Sequence, residues 1–460
     1  MSVATIAPPP LELLAMRAPR YTSYPTALQF DERIGPDDAV RALRQSNDDW
    51  LPAPLSLYLH VPFCHSNCFY CGCHRKVTRN VERMAAYAND LARELGQRAA
   101  LLDADRQTVQ VHFGGGTPNH LPSADLCRVM ETLHHHYAPD EQADISLEID
   151  PRLVEGEEPA LWASLGFNRI SIGVQDVDDR VQRLINRVQP AEQVARCVEQ
   201  CRHTGFESIN FDLIYGLPAQ SMQSIDATLD FVEQQRPERV AAFGYAHLPD
   251  RLRAQRAINR VWLPDATARL ALRNRIEQRL LAAGYVSIGL DHYALPSDSL
   301  ARAHREQSLH RNFQGYTTHA GCDVIGFGVS SISRIGDTFA QHSKSIDDYH
   351  TAIDQGLWPV VRGYRQCDDD RLREQIIMAL MCDRPVDLLA LGRQYGMDPN
   401  ARFEPALEAI QSMAPRTQPL VVCESGVLRA TPEGRPFLRL IAAQFDAFAS
   451  AQRGHTNVAV

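Results

Sequence analysis

The chain has 460 residues, 44% of them hydrophobic and 22% charged, with a formal net charge of -9 at pH 7. This composition is typical of a globular protein and excludes a disordered or fibrous one. The acidic balance argues against a general nucleic-acid-binding protein, which carries a basic excess. No apolar run reaches the roughly 18–20 residues of a membrane span, and no secretory signal opens the chain. We therefore expect a cytoplasmic protein without nucleic-acid or membrane partners.

The elements follow one another in a simple order. Residues 1–50 are rich in Pro, Ser and Thr and predict an arm that packs on the rest of the chain. Residues 51–300 alternate short β-rich runs with amphipathic helical stretches, a pattern typical of βα units around a parallel sheet. Residues 301–365 are predicted to extend this unit and cover the substrate. Residues 366–460 predict a small, mostly helical carboxy-terminal domain. The β-rich runs span 55–63, 108–116, 144–150, 168–175, 208–216 and 239–248.

The fold class that this pattern predicts is α/β, as a partial (β/α)6 TIM-like barrel with parallel strands. In such barrels the chemistry lies at the carboxyl ends of the strands. A single polar residue there is most often part of an ordinary loop. In this chain polar or glycine-rich residues follow every predicted strand, which favours a site. They are the cysteine cluster after residue 63, Gly114 to Thr117, Glu148, Gln175, Asp212 and the run 245–247.

Four cysteines crowd into the segment HVPFCHSNCFYCGC. Cys64, Cys68 and Cys71 have a CxxxCxxC spacing, and Cys73 follows two residues later. Three thiolates on one short loop can hold three corners of a cubane iron–sulfur cluster and leave the fourth iron open to a cofactor. The alternative is a structural zinc site, which is less favoured because no second CxxC appears downstream. The other seven cysteines are scattered and are interpreted as small buried hydrophobes.

These motifs carry a family resemblance. With the cysteine spacing, GGGTP at 114–118 and RYTSYPT at 20–26, the chain resembles the oxygen-independent coproporphyrinogen III oxidases of the radical S-adenosylmethionine (SAM) superfamily. The cysteine motif alone indicates only the superfamily, whereas HRNFQGYTT at 310–318, the arm and Cys73 narrow it to this family. Further matching stretches are EIDPR, SIGVQD, RLINR, NFDLIYGLP, YAHLP and DHYALP.

The resemblance implies one [4Fe-4S] cluster and two SAM molecules per chain. It implies that Cys64, Cys68 and Cys71 bind the cluster, whereas Cys73 is expected not to bind iron. Catalytic roles are predicted for Cys73, Tyr58 and Glu148. Two further residues, Ala246 and Ile332, match positions around the second SAM. The residues that match contacts of the first SAM are Tyr58, Tyr70, Gly115, Gly116, Thr117, Glu148, Gln175, Arg187 and Asp212.

The residue types suggest individual roles within this set. Asp212 is expected to take the ribose hydroxyls, Arg187 the amino-acid carboxylate, and the Tyr70 ring to pack on adenine. Each residue also has an ordinary structural interpretation: Tyr70 as a core aromatic and Arg187 as an exposed helical arginine.

The reaction implied by the resemblance converts two propionates of coproporphyrinogen III to vinyl groups and gives protoporphyrinogen IX, through a 5′-deoxyadenosyl radical. An electron donor such as flavodoxin or ferredoxin is the implied partner, and a monomer is expected. Arg20, His310 and Arg311 are predicted to neutralise substrate carboxylates, with ordinary surface charge as the alternative. Another radical SAM enzyme or a haem chaperone on the same barrel remains an alternative function. A simple ferredoxin is least favoured, since it needs a fourth cysteine ligand.

Overall fold

The computed structural model describes residues 13, 16–415, 417–449 and 457–458, so most of the first 15 residues of the predicted arm lie outside the described ranges. The strands of the described chain are β1 (Arg17–Ala18), β2 (Leu55–Val61), β3 (Phe63–Cys64), β4 (Lys76–Val77), β5 (Thr108–Gly115), β6 (Asp144–Ile149), β7 (Arg169–Gln175), β8 (Ser208–Tyr215), β9 (Arg239–Gly244), β10 (Val286–Ile288), β11 (His292–Ala294), β12 (His310–Asn312), β13 (Gly315–Thr317), β14 (Asp323–Phe327), β15 (Ile332–Ile335), β16 (Thr338–His342), β17 (Val360–Arg365), β18 (Val386–Asp387), β19 (Val421–Glu424), β20 (Val427–Ala430) and β21 (Asn457–Val458).

Helices fall between most of these strands. They are α1 (Pro36–Asn47), α2 (Val81–Ala99), α3 (Ser123–Tyr137), α4 (Glu158–Ser164), α5 (Asp179–Leu184), α6 (Ala191–His203), α7 (Met222–Gln235), α8 (Ala266–Ala282), α9 (Ser299–Arg305), α10 (Ile346–Asp354), α11 (Asp368–Met381), α12 (Leu388–Gln394), α13 (Pro399–Ser412) and α14 (Leu438–Ala443). None of the described helices is long and apolar enough to cross a membrane.

One large sheet organises the fold, with the strand order β10-β11-β9-β8-β7-β6-β5-β2-β14-β15-β16-β17. Strands β2 and β5 to β9 run parallel to one another, which confirms the predicted partial barrel of parallel strands. A seventh parallel strand lies outside the six predicted runs: β14 pairs parallel with β2 on its other side. The antiparallel strands β15 to β17 then extend this edge.

The two faces of the barrel strands differ in chemistry because side chains alternate along a strand. Register places Tyr58 beside His112 and His112 beside Ser146. The next pair on the same face is Glu148 beside Ser171. The intervening residues are apolar and fully buried beneath the helices. This alternation gives the barrel a polar interior surrounded by a hydrophobic shell.

Helix α2 illustrates how the shell forms. Its amino end is capped by Asn80, whose side chain accepts a hydrogen bond from the Arg83 backbone N–H at 2.8 Å. Apolar residues recur along one face of the helix and pack into the main core. This face consists of Met84, Tyr87, Ala88, Leu91 and Leu95.

A hairpin formed by β12 and β13 reaches into the barrel. The side-chain amide oxygen of Gln314, at the hairpin tip, accepts a hydrogen bond from the Ser56 hydroxyl on β2 at 3.3 Å. The base of the hairpin lies against the arm, because Arg311 Nε donates to the Tyr21 carbonyl at 3.1 Å. The HRNFQGYTT motif therefore joins the arm to the barrel interior.

The carboxy-terminal part has a hydrophobic core of its own, built from α11 to α14 and a small antiparallel sheet of β18, β20 and β19. Tyr21 and Tyr24 of the arm are fully buried in this core. Tyr21 donates a hydrogen bond to the Asp446 carboxylate at 2.8 Å. The arm thus packs on another part of the chain, as its composition predicts.

Candidate active site

The cysteine loop follows β2 directly, at the carboxyl edge of the barrel. Three of its sulfurs accept hydrogen bonds from separate parts of the chain. Cys64 accepts from the Thr117 hydroxyl at 3.4 Å, and Cys71 accepts from the Cys73 backbone N–H at 3.4 Å. Cys68 accepts from Arg187 Nη1 at 3.6 Å. Such hydrogen bonds orient the sulfurs of the candidate cluster ligands.

The thiols differ in acidity. Burial raises the pKa of Cys64 to about 11. A hydrogen bond from the Cys73 side chain lowers the pKa of Cys71 to about 6, and raises the pKa of Cys73 in turn. Cys71 is therefore the thiol in this pair that ionises first.

The spacing of the sulfurs distinguishes the cluster from the zinc alternative. Tetrahedral zinc holds sulfurs about 3.8 Å apart, given Zn–S bonds of about 2.3 Å. In the described chain, only Asp90, His350 and Asp354 form a group of three His, Cys, Asp or Glu residues whose ligand atoms all lie within 4.8 Å of one another. Among the described residues, no three sulfurs of the cysteine loop form so compact a group. A multi-iron cluster, which holds its ligands on different irons, does not need one.

The glycines after β5 are required by close contacts. Gly115 has a φ of +109°, and a Cβ there would lie 2.4 Å from His60 Cε1. A Cβ on Gly116 would lie 2.7 Å from the Phe63 carbonyl oxygen, and the Gly116 N–H donates to the Val61 carbonyl at 2.8 Å. The GGGTP turn is therefore pressed against the start of the cysteine loop.

Two carboxylates lie on neighbouring parts of the polar face. Glu148 Oε1 lies 3.1 Å from His112 Nε2, and Oε2 accepts from the Gly115 N–H at 3.2 Å. Burial alone would raise the pKa of Glu148, but these two hydrogen bonds, together with the electrostatic attraction of His112 and His60, hold the pKa below its ordinary value. Burial and the Glu148 charge raise the pKa of Asp212 to about 7. Asp212 also accepts from the Ser171 hydroxyl at 3.0 Å.

Gln175 ends β7 in a left-handed conformation, with a φ of 60°. It is buried, and its side-chain oxygen has no hydrogen-bond partner within the described chain. An unpartnered buried acceptor is costly unless a ligand supplies a donor. Gln175 therefore fits its predicted role as a contact of a bound cofactor.

Arg187 is engaged more fully than the sequence suggests. It is buried, with Nη1 3.2 Å from Asp150 Oδ2, Nη2 donating to the Gly173 carbonyl at 2.9 Å, and Nε donating to Gln189 at 3.0 Å. Nη1 also reaches Cys68. The guanidinium therefore holds the cysteine loop against β7, and its predicted contact with a SAM carboxylate stays a prediction.

Tyr70 and Ala246 are held by a residue that the sequence analysis did not identify. Gln255, which is 1% exposed, donates from Nε2 to the carbonyls of both Tyr70 and Ala246 at 2.9 Å. Tyr70 packs on an apolar cluster that includes Ile185 and Leu217. This bridge fixes the end of the cysteine loop to the segment after β9.

A cavity of about 380 Å³, which we call the lumen cavity, lies inside the barrel. It brings together five predicted site residues: Tyr58, Cys73, Gly115, Glu148 and Ile332. The other predicted SAM contacts are placed around the cysteine loop and along the strands rather than in its lining. The remaining lining residues are His60, His74, Phe313, Gln314, Val324, Ser330, Ser331, Gln341 and Lys344.

Some of these additional residues had a detectable signal in the sequence. His60 stands two positions after Tyr58, so strand alternation places it on the polar face. His112, which contacts Glu148 but is not part of the lining, stands two positions before Gly114 and has the same signal. Phe313 and Gln314 lie in the HRNFQGYTT motif but had no assigned role. Ser330 and Lys344 had no local signal, because their place in the cavity depends on how β14 to β16 return to the barrel.

Comparison with known proteins agrees with this architecture. Residues 58–232 match the Radical SAM superfamily and residues 368–437 match the HemN C-terminal domain. The chain is 41% identical to the oxygen-independent coproporphyrinogen III oxidase of Pseudomonas aeruginosa, covering 94% of each chain. It is 40% identical to the Escherichia coli (strain K12) protein of the same name, covering 94% of this chain and 93% of that protein.

The solved structure of coproporphyrinogen III oxidase (HemN) from Escherichia coli, described as a radical SAM enzyme, superposes with a TM-score of 0.89 at 39% identity. The match covers 96% of this chain and 99% of that chain. Radical SAM proteins carry a [4Fe-4S] cluster and SAM, and the thiols of the cysteine loop and the unpartnered Gln175 oxygen fit these groups. The chain therefore belongs to the oxygen-independent coproporphyrinogen III oxidase family of the radical SAM superfamily.

Proposed function

We propose that this protein catalyses the oxygen-independent oxidative decarboxylation of two propionate side chains of coproporphyrinogen III, giving protoporphyrinogen IX. The observation that carries the proposal is the lumen cavity, which opens between the cysteine loop, represented by Cys73, and the tip of the family's HRNFQGYTT hairpin at Phe313 and Gln314. When bound, the cluster and SAM supply the one-electron chemistry that removes a hydrogen atom from a propionate.

The chain's own residues bind and orient in this proposal. Cys64, Cys68 and Cys71 hold the cluster, and the hydrogen bonds from Thr117 and Arg187 orient the first two sulfurs. Glu148 stays ionised at neutral pH and faces the cavity, where it can accept hydrogen bonds from a bound group.

Asp212 takes the ribose hydroxyls in the same proposal, because it ends a row of polar residues on the inner face of the barrel. Its contacts with Ser171 and Asn210 fix the direction of the carboxylate. Gly115 and Gly116 leave the backbone accessible to the amino-acid part of SAM. Tyr70 provides an aromatic surface for adenine.

A second SAM and the electron donor are further parts of the proposal. Ile332 lines the lumen cavity beside Phe313, so a second SAM placed at Ile332 lies within reach of a substrate in the same cavity. Ala246, which Gln255 bridges to Tyr70, is the other proposed contact of this second SAM. Flavodoxin or ferredoxin supplies the electron, and the protein acts as a cytoplasmic monomer.

The proposal is tested by anaerobic incubation of the reconstituted protein with reductant, SAM and coproporphyrinogen III, followed by porphyrin analysis. We expect protoporphyrinogen IX and two equivalents of carbon dioxide per substrate. Omission of SAM, and the Cys64→Ser variant, serve as matched controls that form no product. A reconstituted protein with full iron content that leaves coproporphyrinogen III unchanged would contradict the proposed function.

A further inference from the structure

A second cavity, larger than the lumen cavity at about 640 Å³, lies at the opposite end of the barrel. We call it the base cavity. It is lined by Ala53, which precedes β2, and by Asp323, the first residue of β14, so it opens at the amino-terminal ends of the strands. Helix α11 of the carboxy-terminal part closes one side with apolar residues that include Met378 and Ala379.

The two cavities share a thin wall. Asp323 lines the base cavity, whereas the next residue, Val324, lines the lumen cavity. The hairpin shows the same division, since Arg311 lines the base cavity and Phe313 lines the lumen cavity. The base cavity thus has a lining of its own and neighbours the lumen cavity.

Some charges around the base cavity cancel in pairs. Arg334 lies 2.7 Å from the Glu374 carboxylate. Asp323 lies 2.8 Å from Arg106, and both of these side chains are buried. These pairs leave no net charge. Two further carboxylates, Asp49 and Asp387, are exposed at the surface.

Arg311 and Arg384 are different, because neither has a carboxylate oxygen within 4.0 Å in the described chain. Arg311 is 7% exposed, and its Nη1 has no hydrogen-bond partner among the described residues. Arg384 donates from Nη1 to the Leu309 carbonyl at 3.0 Å. Two guanidinium groups without a close carboxylate partner therefore line one cavity. Asp291 attracts Arg311 from beyond ion-pair distance, and Arg311 has a buried, unpartnered nitrogen.

An acceptor in the same cavity also lacks a partner. Glu374 Oε1 is buried without a hydrogen bond within the described chain, although Oε2 accepts from Arg334 and Gln366. A buried donor or acceptor without a partner is unfavourable, so these positions favour a ligand that supplies both kinds of group. Carboxylates would match Arg311 and Arg384, and an N–H group would match Glu374.

We propose that the base cavity is a second binding site for a tetrapyrrole that bears propionate groups. Such a molecule combines carboxylates, pyrrole N–H groups and flat apolar faces, and the last of these match the Met378 and Leu391 side chains. The proposal rests on the proposed function, which makes tetrapyrroles the available ligands. The base cavity would then be a holding site outside the lumen cavity. Either the tetracarboxylate substrate or the dicarboxylate product can occupy this second site.

The test measures binding of two fluorescent, oxidised porphyrins to the anaerobic holoenzyme with SAM: coproporphyrin III, with four propionates, and protoporphyrin IX, with two. Arg384→Gln removes one of these two guanidinium charges, and we expect about tenfold weaker binding, the typical loss for a charge-assisted hydrogen bond. Ala390→Trp places bulk in the lining without changing charge and should also weaken binding. Arg393→Gln, on the same helix α12 but outside the lining, is the matched control and should retain the parent affinity.

A second arm separates the two cavities. Ile332→Trp obstructs the lumen cavity and should leave binding in the base cavity intact. The proposal is supported if the Ile332→Trp variant still binds the porphyrin and the Arg384→Gln variant binds it more weakly than the parent. Tighter binding of coproporphyrin III assigns the site to substrate, and tighter binding of protoporphyrin IX assigns it to product. Equal affinity in the parent and Arg384→Gln, or complete loss in Ile332→Trp, would overturn the proposal. Failure of the proposed function is distinguishable, because it appears as absent turnover in the parent whether or not porphyrin binds.

Discussion

The backbone N–H of Cys73 donates a hydrogen bond to the sulfur of Cys71, at 3.4 Å. The Cys-Gly-Cys turn therefore contacts a proposed cluster ligand through the Cys73 backbone as well as through its thiol, and the Cys73 side chain also lines the lumen cavity. This arrangement separates two roles that the sequence places only two residues apart. We predict that the Cys73 thiol acts on a bound group and does not bind iron.

Cys73→Ser should retain the iron, the sulfide and the visible absorption of the parent cluster, because the backbone hydrogen bond to Cys71 survives the change. Activity should fall or disappear. Cys64→Ser, Cys68→Ser and Cys71→Ser should each lose the cluster, since each removes a proposed ligand. Metal and sulfide analysis of the four variants checks this expectation. An equal loss of iron in Cys73→Ser would mean that four thiols bind the cluster.

Asp212→Asn should weaken SAM binding about tenfold or more while leaving the iron content unchanged. SAM binding should weaken because a ribose hydroxyl makes a stronger hydrogen bond to a carboxylate than to an amide. The iron content should not change because Asp212 does not touch the cysteine loop. Equilibrium binding of SAM to the anaerobic protein measures the effect. Asp179→Asn, an exposed residue on α5, is the control. Parent-like SAM affinity in Asp212→Asn would remove the ribose role.

The same residue predicts a pH effect on stability. The pKa of Asp212 is raised to about 7 in the folded chain, against an ordinary value of 3.8. Between these values the folded chain binds a proton that the unfolded chain has lost, so the free energy of unfolding falls as the pH rises. The Asp212→Asn variant has no carboxyl group at this position, so its free energy of unfolding lacks this decrease with pH. Its stability relative to the parent should therefore increase from pH 4 to pH 8, as measured by urea unfolding. A constant difference across that range would contradict the raised pKa.

Gly115→Ala should destabilise the chain by about 1–3 kcal/mol, the typical cost of a strained backbone conformation. The new Cβ would also collide with the His60 ring. Gly156→Ala is a suitable control, because a Cβ there has nothing within 4 Å and the residue does not have a left-handed φ. We expect Gly156→Ala to leave stability unchanged or slightly raised. Chemical unfolding of both variants measures the contrast, and similar stabilities would show that the turn tolerates a side chain.

Arg187→Gln distinguishes a structural role from a SAM-binding role. Arg187 forms a buried ion pair with Asp150, and removing one partner of such a pair lowers the free energy of unfolding by about 3 kcal/mol or more. We expect the lower end of this range, because Asp150 would still be paired with Arg152 at 2.6 Å. Arg183→Gln removes an exposed arginine of the same segment and should cost less than about 0.5 kcal/mol. If Arg187 acts only on the cysteine loop, the folded variant should keep the parent SAM affinity. A large loss of that affinity would support the predicted carboxylate contact.

Much of the site could be predicted because its signals are local. The cysteine spacing and the GGGTP turn each occupy fewer than ten consecutive residues. The β-rich runs that became β2 and β5 to β9 alternate with helices at regular intervals, which determines a parallel barrel. Glu148 and Asp212 follow from their places on those strands. The predicted domain boundaries stay predictions, since the packing of the arm with the carboxy-terminal core crosses them.

The sequence by itself thus determined the barrel, the cluster loop and the family, because strand period, ligand spacing and turn glycines act over a few neighbouring residues. Only the tertiary structure decided which distant groups meet. Arg187 reaches the sulfur of Cys68 across 119 positions, and Gln314 reaches Ser56 across 258. β14 became a seventh parallel strand only by pairing with β2. Register and crossover connections set these contacts, and no local pattern in the chain encodes them.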